Sequence, residues 1–143
     1  MKKVLIVYAN YYKEISSSLK SDAELILKKS KIKYKSIEVP GVFEIPSIIS
    51  KYSNQYDGFI ALGCVIKGET PHFDFICKST FDGLINLSIM TKKPIGNGII
   101  TSLNKNQALE RKGGDTSSVT KLKKGKGIEA ARAVLTVFKN ASR

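Results

Sequence analysis

The run Phe59-Ile60-Ala61-Leu62-Gly63-Cys64-Val65-Ile66 contains no charged or amide side chain, and this restricts what can surround it. A strand with one wet face alternates apolar and polar residues. A continuous apolar strand is buried on both faces, as parallel strands with helices above and below are. Strand and helix signals alternate along the rest of the chain, the pattern such a covered sheet needs. Lys3 to Ala9 reads as the first strand, and Ile15, Leu19, Ala23 and Ile26 then share one stripe of an amphipathic helix. Ser36 to Val39 reads as a short second strand ended by Pro40-Gly41, and Pro46 opens a helix carrying Ile48, Ile49 and Tyr52. The third strand runs from Asp57 to Ile66. A helix from Pro71 to about Met90 then places Phe73, Ile76, Cys77, Thr80, Leu84 and Leu87 on its core face, with Gly83 a weak point unless packing requires it. Pro94 to Thr101 makes the fourth strand, Asn104 caps a short helix that Gly113-Gly114 ends, and a loop runs from Asp115 to Lys126. The last helix, Ile128 to about Asn140, buries Ile128, Ala131, Val134, Leu135 and Phe138. The expected architecture is one α/β domain over 1–143, a three-layer α/β/α sandwich around a four-stranded parallel sheet.

The third strand leads directly into Lys67-Gly68-Glu69-Thr70-Pro71-His72-Phe73-Asp74, which places the chain's one histidine in the first turn of a helix. Thr70 suits the N-cap and Pro71 the first helical position. Backbone N–H groups of Gly68, Glu69 and Thr70 then stand at the positive end of the helix dipole, an arrangement suited to phosphate, and Asp74 matches the same polarity. The dipole disfavours an imidazolium, so His72 is placed to accept and return a proton. A lone histidine at a helix start is commonly a surface or packing residue. Here it coincides with a buried strand and a glycine-bearing turn at the carboxyl end of a parallel strand, where open α/β sheets bind ligands.

A length of 143 residues is enough to bury a core without covalent staples. Cys64 and Cys77 have no CxxC spacing and no second histidine to form a metal site with, so both read as small core residues in a reducing cytoplasm, and no metal site is expected. The apolar run after Lys2-Lys3 stops at Asn10, too short for a signal-peptide core, and no stretch is long enough to span a membrane. A net charge of +12 invites a nucleic-acid reading. The lysines, however, are scattered, and the densest cluster, Lys121-Leu122-Lys123-Lys124-Gly125-Lys126, lacks interleaved aromatics for base stacking. A basic composition also draws in small phosphates, so charge alone does not choose between partners; no nucleic acid or membrane partner is expected.

Four blocks, in order and over nearly the whole chain, resemble the lumazine synthase family. They are Val39-Pro40-Gly41-Val42-Phe43-Glu44-Ile45-Pro46, Ala61 through Asp74, Pro94-Ile95-Gly96-Asn97-Gly98-Ile99-Ile100-Thr101 and Gln107-Ala108-Leu109-Glu110-Arg111. The second block is long enough to be specific. The resemblance implies a flavodoxin-like fold and a cofactor-free condensation of 5-amino-6-(D-ribitylamino)uracil with 3,4-dihydroxy-2-butanone 4-phosphate, through imine formation, phosphate loss, ring closure and dehydration. It also implies roles for individual residues. Tyr11 stacks on the pyrimidine, with Tyr12 as its rival; Val42, Phe43 and Glu44 line the ribityl chain; and Cys64, Val65 and Ile66 read the pyrimidine edge through their backbone. Glu69 and Thr70 form the phosphate-side turn, His72 transfers protons and Arg111 binds phosphate. In the family a neighbouring subunit's equivalents of residue 97 and Arg111 complete each site, so a lone chain is expected to be inactive.

Two departures from the family stand out. Asn97 occupies a position where many relatives carry phenylalanine, and the segment from Arg111 to Lys126 is longer than the compact turn of shell-forming relatives. Either Lys124 or Lys126 could replace the lysine those relatives place near the phosphate. A first strand starting almost at Met1 and the lysine-rich segment 115–126 lead to the expectation of a pentamer that does not close into a shell. The rival function is a non-catalytic flavin- or nucleotide-binding module. His72 and Arg111 weigh against it, because a passive binder needs no proton shuttle beside an anion site.

Overall fold

The computed structural model describes residues 1–113 and 125–141. Four strands, β1 (Lys3–Ala9), β2 (Lys33–Val39), β3 (Gly58–Ile66) and β4 (Ile95–Ser102), form one sheet in the order β2-β1-β3-β4, and every pair is parallel. The described helices are α1 (Lys13–Lys29), α2 (Ile45–Lys51) after a 3-10 turn at Val42–Glu44, α3 (His72–Thr91), α4 (Lys105–Arg111) and α5 (Lys126–Ala141). Alternation along the strands sends Val4, Ile6, Ile60 and Leu62 to one face, where they meet Ile15, Leu19 and Ile26 of α1 and Ile128, Val134 and Phe138 of α5. Leu5, Val7, Phe59 and Ala61 go to the other, against Ile45 and Ile49 of α2 and Leu84 of α3. The three-layer α/β/α architecture expected from the sequence is therefore the one formed.

Several boundaries differ from expectation, each for a local reason. The second strand begins at Lys33 rather than Ser36. It is an edge strand with Lys33 and Lys35 facing water, so its charges conceal it from a reading based on hydrophobicity while keeping the edge from pairing with other chains. Asp57 lies just before β3; its N–H donates to the Lys3 carbonyl at 2.8 Å, and the Lys3 N–H donates to the Asp57 carboxylate at 2.8 Å. Helix α3 starts at His72; Pro71, with φ −70° and ψ 5°, occupies the cap position, and Thr70 sits one residue too early to be the N-cap. The Thr70 hydroxyl still accepts the His72 N–H at 3.4 Å. Tyr52 caps the carboxyl end of α2 instead of lying within it. Asn104 caps α4 as expected, its side-chain oxygen accepting the Gln107 N–H at 2.9 Å.

The core face assigned to α3 is the main correction. Thr80 and Leu84 are buried, while Phe73, Ile76, Cys77 and Leu87 are only half-buried. Phe75 (67% exposed), Ile85, Ile89 (68%) and Met90 (78%) open to solvent on the far side. A helix that is apolar nearly all round has more apolar surface than one sheet can cover. Gly83 lies close against α2, where a Cβ would make a tight contact, 3.3 Å from the Pro46 ring.

Candidate functional site

The strand order reverses between β1 and β3, since the chain goes from β1 outward to β2 and then back across to β3 on β1's other side. Loops leaving the carboxyl ends of these two strands diverge and leave a crevice between them. A cleft of about 310 Å³ occupies this place. Its walls come from three elements: Tyr11 and Tyr12 after β1, Gly41 and Val42 after β2, and Cys64, Val65 and Ile66 at the end of β3. Gly68, Thr70, His72, Phe73 and Ile76 close it from the turn and first helical turns of α3.

The turn after β1 is tied down on both sides. The Asn10 N–H donates to the Val39 carbonyl at 3.0 Å, its side-chain amide donates to Glu38 at 2.8 Å, and the Ser16 hydroxyl donates to the Ala9 carbonyl. The two tyrosines that follow meet edge to face, ring centres 4.9 Å apart and planes at 81°. Tyr11 is exposed, a free aromatic face at the mouth, whereas Tyr12 packs inward against the core. On the opposite wall, the Lys67 N–H donates to the Ser102 carbonyl at 2.9 Å and carries the β3–β4 ladder to the point where the turn begins.

Burial pushes the Cys64 thiol up to about 11. Burial, then the neighbouring Cys64 and Tyr11, raise Tyr12 as well. Neither group is an anion near pH 7. His72, exposed on the cleft wall, is the lining side chain whose type suits proton exchange near neutrality. Among the described residues no group of three histidine, cysteine or acidic side chains could hold a metal ion, and no helix is long and apolar enough to cross a membrane.

Of the residues singled out from the sequence, Tyr11, Val42, Cys64, Val65, Ile66, Thr70 and His72 line this one cleft. Glu69 is exposed on the same turn without lining it. The others lie elsewhere on the chain. Phe43 and Glu44 border a groove of about 420 Å³ between α2 and α3, whose floor includes the buried Thr80. The Thr80 hydroxyl has no hydrogen-bond partner among the described residues. Asn97 projects from β4 beside Phe81, Leu84 and Ile85, and its side-chain oxygen accepts the Ile99 N–H at 3.1 Å. Arg111 faces a hollow of about 250 Å³ together with Lys126 and Glu129, donating to the Thr101 carbonyl at 3.0 Å. Lys126 reaches Glu129 at 3.3 Å, and Lys124 lies outside the described residues. Phe73 and Ile76, read from the sequence as core, are cleft walls; the spacing of four residues between His72 and Ile76 on a helix was the available signal for Ile76.

Residues 1–141 match the family model described as 6,7-dimethyl-8-ribityllumazine synthase. Similar curated proteins carry that same name. One from Bartonella bacilliformis is 42% identical over 140 residues, covering 94% of this chain and 87% of the relative. Another from Agrobacterium fabrum is 39% identical over 142 residues, covering 94% and 91%. A third from Corynebacterium kroppenstedtii is 36% identical over 133 residues, covering 93% and 80%.

Proposed function

Because the chain belongs to the 6,7-dimethyl-8-ribityllumazine synthase family, we propose that its cleft condenses 5-amino-6-(D-ribitylamino)uracil with 3,4-dihydroxy-2-butanone 4-phosphate, releasing phosphate and water. The reaction is a cofactor-independent transfer. The observation that carries the assignment to this site is the meeting of an exposed aromatic, the backbone end of a buried strand and a helix-start histidine around one cleft. Tyr11 offers a flat face to the pyrimidine, and Cys64, Val65 and Ile66 offer backbone donors and acceptors to its edge, with the thiol itself a spectator. Val42, Phe43 and Glu44 border the path of the ribityl chain, where the carboxylate accepts bonds from hydroxyls. Glu69 and Thr70 shape the turn on the phosphate side. His72 takes and returns protons while the imine forms and the phosphate leaves.

In this reading Arg111 holds the phosphate, with Lys126, which faces the same hollow, as a companion cation, and both act on a neighbouring subunit's cleft. Asn97 meets a neighbour's pyrimidine slot with an amide. Support comes from the position of these residues outside their own chain's cleft and from the exposed apolar face of α3, which needs covering. The buried Thr80 hydroxyl beneath the groove between α2 and α3 has no partner among the described residues, which suits a contact made from outside. The working form is a cytoplasmic homopentamer of one domain per chain. Mixing purified protein with both substrates and following lumazine formation optically tests the activity; no rate above the spontaneous reaction would sink it.

A further inference from the structure

Helix α1 carries a carboxylate that the reaction does not use. Asp22 is 2% exposed, and a carboxylate so buried persists only with donors or cations around it. Its oxygen Oδ2 lies between two glycines. Gly113, with φ +73°, sits so close that a Cβ there would overlap Oδ2, and a Cβ on Gly125 would come within 2.8 Å of it. A Cβ on either glycine would also lie about 3 Å from the other's Cα, so the two backbones meet across the carboxylate. Gly113 follows Arg111 by two residues, and Gly125 immediately precedes Lys126 at the start of α5, where a negative charge is favoured by the helix dipole.

The same face of α1 makes two more contacts with these segments. The Lys112 ammonium donates to the Ser18 hydroxyl at 3.1 Å, one helical turn before Asp22. Gly127 packs against the Leu19 carbonyl so tightly that a Cβ would collide with it. Arg111 and Lys126, far apart in sequence, thus face one hollow because both flanking segments are seated on α1.

We propose that Asp22 is a positioning residue for the anion site, gathering the backbone at Gly113 and Gly125 so that Arg111 and Lys126 converge on one phosphate. This rests on reading Arg111 as the phosphate-binding arginine. The probe is inorganic phosphate as an inhibitor of the whole assembled protein. Asp22→Ala raises its inhibition constant, and the KM for the phosphate substrate with it, about tenfold, the usual scale for supporting residues. The kcat and the KM for the pyrimidine stay where they were. Asp22→Asn, which keeps the volume and one acceptor, recovers most of the loss, and Gly125→Ala reproduces it by displacing the carboxylate from the other side. An unchanged phosphate constant in folded Asp22→Ala, or in Gly125→Ala should the first variant not fold, overturns the proposal. So does failure of both to fold, which would make the contact a requirement of the fold alone. Arg111→Ala is measured in parallel. If it weakens phosphate and Asp22→Ala does not, only the positioning role fails; if Arg111→Ala has no effect, the anion site and this inference fail together.

Discussion

At the scale of single residues, the cleft combines one histidine with a cysteine and a tyrosine that burial keeps protonated. His72→Ala is expected to lower turnover about ten- to a thousandfold while leaving pyrimidine affinity nearly intact, because it removes proton transfer and no binding surface of the ring. Loss of pyrimidine binding with turnover of the bound substrate preserved would remove His72 from that role. Arg111→Ala should chiefly raise the KM for the phosphate substrate, since a charge-assisted bond of about 1.5 to 3 kcal/mol is lost; unchanged kinetics for that substrate would exclude it. Cys64 yields a stability prediction. Its folded value of about 11 lies above the ordinary 9.0, so the fold favours the neutral thiol. That contribution is complete below pH 9 and disappears as pH rises through about 11. Denaturant unfolding of the native protein and Cys64→Ala at pH 8 and pH 11 isolates the effect, because titration of the lysines is common to both. An equal loss of stability in the two proteins would contradict it.

Among the elements, α3 carries two tasks. Its first turns wall the cleft with His72, Phe73 and Ile76, and its later turns leave Ile85, Ile89 and Met90 uncovered. Ile89→Lys should leave the chain folded, since the side chain already faces water, yet break the assembly and with it the activity. Circular dichroism paired with sedimentation is the check; an assembled, fully active variant would show that α3 is not the contact. The sequence disclosed this helix by its periodicity but overstated its burial, because Phe73, Ile76 and Leu87 at helical spacing look the same whether they meet a sheet, a ligand or a second chain. Edge strand β2 shows the opposite error. Its outward lysines hid its first half, although its pairing with β1 begins at Lys33.

For the whole molecule, the expectation is a ring of five chains that does not close into a larger shell. A cleft built by one chain lacks Arg111 and Asn97, so assembly and activity should appear together. The failure to close is expected from the lysine-rich segment 115–126, of which 115–124 lies outside the described residues. Light scattering at physiological salt should give one species near five chains, and a shell-sized particle or an active monomer would refute this.

Local chemistry was readable directly from the sequence. The unbroken apolar run of β3 required a sheet covered on both faces, Asn104 marked a helix start, and the residues from Gly63 to Asp74 put His72 at the start of the helix that follows a buried strand. These signals depend on neighbours within a few positions, which the order of residues states outright. Only the tertiary structure brought Tyr11, Val42 and His72 to one cleft, set Lys126 beside Arg111 and pressed Asp22 between Gly113 and Gly125. Those meetings depend on strand order and on the seating of residues 112–113 and of α5 against α1. Contacts between distant segments arise from burying both faces of the sheet at once, and no local pattern encodes them.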